Sequence, residues 1–491
     1  MVDLLIVLLA LGMVMYLAFR GLTLILLAPA AALMAVILSG SLPVLAAYTQ
    51  IFMTNVGDFV TAFFPLFLLG AVFGKLMDDT GSAQSIAETV SRRLGPDRAI
   101  VSVLICCAVL TYGGVSVFVV AFAMIPVAAA LFRQADIPTR LIPGAIAVGA
   151  FSFTMTALPG TPAIQNAIPM PFFGTTAFAA PGLGIIAGII MFTLGLAWLN
   201  RRAAAARNAG EGYGTHADSV PEPDVILRER AHGEGFDISE IGDEDAPHPA
   251  RGGAAVNQPP FWLALLPIVI VIAVNFAFIQ FILPRLDTGF LAEPLFGETT
   301  IEAVRGVWAV IAGLFLAILV LIGANWGRLE SPRASLDKGA DASVLPIFNT
   351  ASLVGFGAVI AALPVFGIIS GAVLELGGGN PLVTVASSVG LLSAMTGSAS
   401  GGMSIALDSL GTTLVGLANS AGVSLEAMHR VTSVASGTLD ALPHNGAVIT
   451  LLTVCRLSHR ESYQDIFVTA MIVPLIALVV IVGLATIFGA F

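Results

Sequence analysis

Long apolar runs separated by short polar stretches dominate the hydrophobicity pattern of the chain. A run of about 20 apolar residues is the length that crosses the bilayer core as an α-helix. Eight largely uninterrupted runs predict spans at 2–19, 21–38, 59–77, 181–199, 261–283, 306–323, 344–374 and 466–491. The stretch 41–53 is too short and mixed to assign, and an interfacial position is one interpretation. The pattern predicts an all-α polytopic membrane protein.

Four further apolar runs are interrupted by small and polar residues. They lie at 99–132 (broken at TYGGVS), 141–168 (at ALPGTP), 381–418 (at TGSASGG) and 425–454 (at ALPHNG). The two ALP motifs are 284 positions apart, and each follows its small-residue cluster after 46 or 45 residues. Non-helical backbone at membrane depth is tolerated only inside protein or beside a water-filled cavity. Its recurrence at matching places in two halves indicates the binding site of a secondary transporter.

The positions of Lys and Arg give each run a direction, because these residues mark cytoplasmic ends. Run 99–132 has Arg93 and Arg98 before it and Arg133 and Arg140 after it, so both of its ends lie on the cytoplasmic side. As one helix it would rise about 51 Å, too far for a core of about 30 Å, so a re-entrant hairpin is predicted. Run 381–418 has no flanking Lys or Arg, which favours a hairpin entering from outside.

Loop by loop, these assignments give two halves of opposite orientation. Residues 1–200 form a first repeat and residues 259–491 a second, each with five spans, one hairpin and one broken helix. This is the organisation of an inverted-topology repeat. Residues 201–258 connect the halves and are predicted to be a disordered cytoplasmic linker, because they are rich in Gly, Pro, Glu and Asp. Three histidines there could suggest a metal tract, but their irregular spacing favours a solvated linker.

Composition agrees with a membrane protein, since 57% of residues are hydrophobic and only 11% are charged. Much of the net charge of −10 lies in the linker. No basic patch with interleaved aromatics indicates nucleic-acid binding. Three cysteines in apolar segments support neither a disulfide framework nor a metal site. The first apolar run lacks a cationic start and a cleavage site, so it is expected to be a retained span.

The breaks supply the candidate chemistry. Half-helix N-termini attract anions and half-helix C-termini attract cations. A carboxylate substrate such as a sugar acid or hydroxy acid could be held by these dipoles and by neutral hydroxyl and amide groups. The substrate-binding candidates are Thr111, Gly113, Gly114, Ser116, Gly160, Thr161, Thr396, Ser398, Ser400, Gly401, His444 and Asn445. Small residues also serve helix packing, but the duplication and the run lengths favour a functional role.

Two carboxylates lie inside apolar runs, where an ionisable group suggests function. Asp440 directly precedes ALPHNG, Asp408 lies in the second arm of the outer hairpin, and His444 occupies the break itself. All three are candidates for proton coupling. Each acid could instead cap a half-helix, and His444 could merely donate to carbonyls. His429 and Arg430 lie near the end of their span, where a charged pair needs no special role.

Several of these segments resemble one transporter family. The run from FPLFLLG (64–70) through TYGGVSVFVVAF to ALPGTP, and the later ALPHNG, is similar to the gluconate permease (GntP-type) family of the ion transporter superfamily. The resemblance implies proton-coupled symport of gluconate, a hydroxybutyrate-like acid or D-serine across the bacterial inner membrane. It also implies scaffold and transport domains, re-entrant hairpins, homodimers and elevator-type movement.

The resulting hypothesis is a proton-driven symporter of a small organic anion, without cofactor or metal. Alternatives are a cation/proton antiporter, which would need more acids at the breaks, and the membrane subunit of a binding-protein-dependent carboxylate carrier. An enzyme is not expected, because HExxH, paired-acid and Ser/His patterns are missing at membrane depth.

Overall fold

The computed structural model describes residues 2–19, 22–214, 258–368, 371, 375, 377–443 and 445–491, and the described secondary structure is helical. The helices of the first half, in chain order, are α1 Val2–Phe19, α2 Leu24–Ser39, α3 Val44–Asp79, α4 Ser82–Leu94, α5 Ala99–Tyr112, α6 Val117–Gln134, α7 Ile142–Ala150, α8 Phe153–Thr156, α9 Ile164–Ala167, α10 Pro169–Phe173 and α11 Pro181–Asn208.

The second half follows the same order of long helices, paired helices and interrupted helices. Its members are α12 Phe261–Ala277, α13 Ile301–Ala324, α14 Pro332–Ala361, α15 Pro381–Thr396, α16 Ala399–Ala421, α17 Leu425–Ser436, α18 Gly446–Val454 and α19 His459–Phe488. Within the described residues, six helices are long and apolar enough to cross a membrane, namely α3, α11, α13, α14, α19 and the helix beginning with α12. The chain is therefore a multi-pass membrane protein.

Two helix pairs flank the small-residue clusters. Helix α5 has 14 residues and α15 has 16, which gives lengths of about 21 and 24 Å, short of the hydrocarbon thickness. In each case the next helix packs back against it, α6 on α5 and α16 on α15. Both pairs therefore form helical hairpins, here called hairpin 1 (99–134) and hairpin 2 (381–421).

Several boundaries differ from the sequence prediction. The third span begins at Val44 rather than at residue 59, so the segment 41–53 belongs mostly to a spanning helix with a π-helical stretch at Ala47–Phe52. The polar residues of that stretch lower its hydrophobicity, which is why the sequence pattern did not predict it as part of a span. Helix α4 was not predicted; it is amphipathic and meets Pro96–Tyr112 at 105°. The expected span 344–374 is instead Pro332–Ala361, which starts in polar sequence and ends earlier.

The predicted linker 201–258 is partly ordered. Helix α11 continues to Asn208, and Tyr213 lies against hairpin 1, with its backbone N–H donating to Asp136 and its ring under Arg133. Glu211 accepts two hydrogen bonds from Arg140, and this guanidinium lowers the pKa of the Glu211 carboxyl. The start of the linker is thus bound to the helical body, and residues 215–257, with their three histidines, lie outside the described residues.

Packing partners recur between the halves. Helix α2 packs on α14, and α13 packs on α3 in the same way. Hairpin 1 contacts the broken helix of its own half through α5 and α7, and hairpin 2 does so through α15 and α17. Each second half-helix crosses to the other half, since α18 packs on α6 and α10 packs on α16. The two interrupted regions therefore interlock.

The central pair α3 and α14 approach each other very closely. A Cβ on Gly339 would lie 2.7 Å from the Cα of Val72, and one on Gly355 would lie 2.9 Å from the carbonyl oxygen of Phe52. Backbone thus meets backbone at both ends of this crossing, a geometry that small residues permit in membranes. The pair forms the axis against which the two hairpins pack.

A buried carboxylate joins three segments at the arginine-rich end of the bundle. Asp465 of α19 is fully buried and accepts hydrogen bonds from Trp198 (2.9 Å) and Arg202 (2.9 Å) of α11. It also faces Arg140 at 3.4 Å, just before α7. This cluster connects the broken helix of the first half to the last helix of the second.

We expect Asp465→Asn to lower the free energy of unfolding by about 3 kcal/mol, because it removes the buried counter-charge of Arg202 and leaves Arg140 with Glu211 alone. Asp337→Asn is the matched control, since that carboxylate is exposed and its pair with Arg333 is worth about 1 kcal/mol or less. Thermal unfolding in detergent, followed by fluorescence or by aggregation, measures both. Equal midpoints for the two variants would contradict a stabilising role for Asp465.

Candidate functional site

In the first half, the tip of hairpin 1 lies directly on the ALPGTP break. The Tyr112 hydroxyl donates to the Pro159 carbonyl at 2.7 Å. Gly114 has φ +94°, and a Cβ there would lie 2.7 Å from Cγ of Pro162. Only glycine combines this left-handed backbone with so close an approach. The TYGGVS cluster and the first ALP motif, 46 residues apart in sequence, thus form one unit.

The second half repeats this contact with different chemistry. The Asn445 side chain donates to the Gly397 carbonyl at the tip of hairpin 2 (2.9 Å), and its oxygen accepts from the Val448 N–H (3.0 Å). It therefore caps α18 and attaches the break to the hairpin tip. Since an N-cap side chain satisfies one of the free N–H groups of a helix start, Asn445 both orders the break and orients α18.

The two breaks touch each other across the halves. The Ser433 hydroxyl of α17 donates to the Thr156 carbonyl, the last residue of α8, at 2.8 Å. A Cβ on Gly437 would lie 2.8 Å from the Thr156 methyl group. The end of α8, where the first broken helix unwinds, thus packs against the end of α17, where the second broken helix unwinds. The sequence prediction that the interruptions converge agrees with this geometry.

A cavity of about 70 Å³, partly open to solvent, lies beside the first break. Its walls come from α3, the tip of hairpin 1, the break and α14, and the lining residues are Leu66, Phe67, Gly70, Ala71, Gly114, Ser116, Pro162, Ala163, Ile164, Ser343 and Pro346. The FPLFLLG segment and the TYGGVS segment therefore face the same space. The space is large enough for several water molecules.

Three buried polar side chains near this cavity have no hydrogen-bond partner among the described residues. They are the hydroxyls of Thr111 and Ser116, on either side of the hairpin tip, and the Oε1 atom of Gln165, which follows the cavity-lining Ile164. A buried polar group without a partner costs free energy unless a bound molecule or water satisfies it. Of the three, Ser116 lines the cavity itself, so its hydroxyl is available to a polar solute bound there.

The remaining binding candidates are more locally engaged. Thr161 is fully buried, and Gly160 donates its N–H to the Ala177 carbonyl. In hairpin 2, the Thr396 hydroxyl donates back to its own helix, and Ser398 accepts from the Gly401 N–H. Those groups shape the tip of hairpin 2 and begin α16. The other candidates of the two tips are placed as follows: Gly113 against Ile268, Ser400 near Ser398, and Gly401 against Leu353.

The three proton candidates occupy different environments. Asp440 is buried within the second break, next to the point where α17 ends. Asp408 lies ten residues beyond Ser398, about 15 Å along α16, and is exposed, so the structure does not bring it to the breaks. His444 lies outside the described residues. Beside Asp440, Tyr463 donates to the Ala441 carbonyl at 3.1 Å, and the His459 ring nitrogen lies 3.0 Å from the Pro443 carbonyl.

The expectation that His429 and Arg430 need no special role was wrong. Both are fully buried, and both contact the Asn166 side-chain oxygen of α9. Asn166 in turn donates to the Thr161 and Ala177 carbonyls, which fixes its oxygen as an acceptor. His429 therefore donates through Nε2 and accepts at Nδ1 from Thr175, so its neutral form is satisfied. The signal available in the sequence was a charge inside an apolar run.

Comparisons with known proteins agree with this architecture. Residues 2–217 match the model of the GntP family permeases. The chain is 41% identical to an uncharacterised transporter, YxjC, of Bacillus subtilis, over 98% of this chain and 100% of that protein. The fold is similar to the crystal structure of the YdaH transporter of Alcanivorax borkumensis, described as having an unusual topology, with a TM-score of 0.50, 16% identity and 89% coverage of both chains. The chain belongs to the GntP family of permeases and is a membrane transporter.

Proposed function

We propose that this transporter carries a small monovalent carboxylate, such as gluconate, a related sugar acid or a hydroxy acid, together with a proton. The observation that carries the proposal is the cavity beside the first break, which is lined by the unpartnered Ser116 hydroxyl and by unwound backbone at Pro162 and Ala163. Hydroxyl groups of a sugar acid match the Thr111 and Ser116 hydroxyls, and the amide of Gln165 adds a further partner.

The orientation of the half-helices supports an anionic substrate. Helix α6, which has 18 residues, begins at Val117 directly after the cavity-lining Ser116, so free N–H groups of its first turn lie beside the cavity. Helix N-termini favour negative charge. Leu66 and Phe67 of α3 give the cavity an apolar wall, so the polar groups of the substrate would face hairpin 1 and the break.

Coupling to protons is assigned to Asp440. It lies in the second break, and the two breaks touch at Thr156 and Gly437. A carboxyl group buried at membrane depth is costly when charged, so binding and release of a proton there would accompany a change in its surroundings. Asp408 is less suited because its side chain is exposed and remote from the breaks. The bacterial inner membrane is the proposed location.

The opposite orientation of the two halves also forms part of the proposal, and it predicts accessibility. We expect single cysteines placed at Arg93 and at Arg133 to react with a membrane-impermeant maleimide only from the cytoplasmic side, because Arg93 precedes hairpin 1 and Arg133 lies in its last turn. A cysteine at Leu295, which is exposed in the loop before α13, should react only from outside. Labelling of Arg93→Cys and Arg133→Cys from opposite sides would refute the re-entrant arrangement.

The direct test of the function is an uptake panel in proteoliposomes containing the purified chain. Radiolabelled gluconate, other sugar acids, hydroxy acids and D-amino acids are offered under an inward proton gradient. Accumulation of a carboxylate that stops when the gradient is collapsed is the expected result. Replacing the proton gradient with a sodium gradient tests whether Na⁺ rather than H⁺ drives the uptake. No accumulation of any carboxylate under either gradient would overturn the proposal.

A further inference from the structure

Arg430 is an unusual feature of this membrane protein, because a fully buried guanidinium lies at the unwound region. Its five N–H groups make five hydrogen bonds. Nε donates to Ala179 O (3.1 Å), Nη1 to Thr156 O (3.3 Å) and Asn166 Oδ1 (3.0 Å), and Nη2 to Ala177 O (3.3 Å) and Ala179 O (2.8 Å). All of these acceptors are neutral.

No carboxylate of the described residues forms an ion pair with Arg430. A buried charge without a counter-charge is costly inside a bilayer. Here the carbonyl groups of Thr156, Ala177 and Ala179 and the Asn166 side-chain oxygen offset part of that cost. Arg430 thus occupies the position at which the unwound backbone would otherwise attract a mobile cation.

The two broken helices can be aligned without gaps at the spacing of their ALP motifs. In that register Ser152 matches Ser436, Thr154 matches Thr438 and Ala157 matches Ala441. Thr156 then matches Asp440. The first break has a neutral threonine at this position, and the second has an acid.

In the same register, Arg430 matches Ile146, which is fully buried in α7. The first break is therefore faced by a cation from the opposite half, whereas the matching position of the first half contains an apolar side chain. The two related breaks contain opposite formal charges, Arg430 at one and Asp440 at the other.

We propose that Arg430 is a built-in cation of the first break that offsets the charge of the bound carboxylate, and that one proton at Asp440 accompanies each monovalent carboxylate, so that transport is electroneutral. The inference rests on the proposed function. With Asp440 ionised, the two fixed charges cancel. Protonation of Asp440 leaves the site with the positive charge of Arg430, which favours entry of the anion, and the loaded site is again neutral.

Other titratable groups surround these two. His429 and Tyr112 lie on the Arg430 side, and His429 is satisfied in its neutral form. His459 and Tyr463 contact carbonyls of the second break on the Asp440 side. The hydrogen bond from Asn166 to the Thr161 carbonyl places Arg430 two hydrogen bonds from the cavity wall at Pro162.

The first test uses the unmodified protein. Proteoliposomes are loaded with potassium, and valinomycin sets the membrane potential independently of the pH gradient. We expect uptake of the carboxylate identified in the panel to follow the pH gradient and to change less than twofold when an inside-negative potential is imposed at equal pH. Uptake driven by potential alone would show net positive charge movement and overturn the inference, while leaving carboxylate symport intact. No carboxylate uptake under any gradient would overturn the proposed function itself.

The second test removes the charge of Arg430 in two ways. Arg430→Gln deletes it, and Thr156→Asp places a carboxylate beside it while keeping the arginine. Both should raise KM about tenfold or more with a smaller effect on kcat, because a charge buried in low dielectric acts over several ångströms. Arg430→Lys should preserve KM better than Arg430→Gln.

Arg333→Gln, at an exposed pair, is the matched control and should leave KM unchanged. Size-exclusion profiles identify variants that fail to fold. If Arg430→Gln does not fold, Thr156→Asp still decides the matter. An unchanged KM in folded Thr156→Asp protein would overturn the electrostatic role.

Discussion

Asp440→Asn is expected to abolish concentrative uptake of the substrate. The amide has nearly the shape of the carboxyl but cannot take up or release a proton, so a proton gradient can no longer drive accumulation. Exchange of labelled for unlabelled substrate should persist, since the cavity beside the first break is unchanged. Counterflow and gradient-driven uptake, measured on the same proteoliposomes, separate these two activities.

Asp408→Asn is the matched control for this prediction. Asp408 belongs to the same half and the same residue type, but it is exposed on α16. We expect its uptake to stay within about twofold of the unmodified protein. Normal accumulation by Asp440→Asn, or an equal loss in both variants, would remove Asp440 from the coupling mechanism.

Gly114→Ala is expected to reduce uptake by at least about tenfold. Alanine at φ +94° costs on the order of 1 kcal/mol, and its Cβ would lie 2.7 Å from the ring of Pro162. Because a proline ring cannot rotate away, the hairpin tip must shift from the break, and the cavity that both line must change shape. A steep loss of transport with only modest loss of thermal stability is therefore the expected result.

Gly416→Ala tests whether this effect is local. Gly416 lies in α16, and a Cβ there meets nothing within 4 Å. Alanine should be tolerated or slightly stabilising, because it is a better helix former by about 1 kcal/mol. Uptake by Gly114→Ala at the level of Gly416→Ala would show that the contact between tip and break has no functional importance.

The hydrophobic pattern was sufficient to predict the interrupted helices. Each break combines Gly, Pro or Asn with a long apolar context, and the structure unwinds the chain at both ALP motifs. The pattern was less informative where polar residues enter a span. Tyr48 and Gln50 belong to the helix that begins at Val44, because a long helix supported by neighbours tolerates such residues near its end.

The sequence predicted the residues at the tip of hairpin 1 better than it predicted the hydrogen-bond partners in this region. Thr111, Gly114 and Ser116 were selected as candidates. Gly114 and Ser116 line the cavity, and Thr111 lies at the tip of hairpin 1. The Tyr112 hydroxyl bond to Pro159 and the Asn166 bridge were missed, because a hydrogen-bond partner depends on the three-dimensional approach of segments far apart in sequence. Arg430 was misjudged for the same reason: its depth follows from the packing of α17 between α8 and α11.

The close crossing of α3 and α14 has a mechanical consequence. With backbone pressed on backbone at Gly339 and Gly355, these two helices cannot shift lengthwise past each other without forcing their main chains apart. Each hairpin tip, by contrast, is fastened to a break, through Tyr112 in one half and Asn445 in the other. We therefore expect the α3–α14 pair to stay fixed during a transport cycle. Any displacement should take place at the interfaces between this pair and the two hairpins.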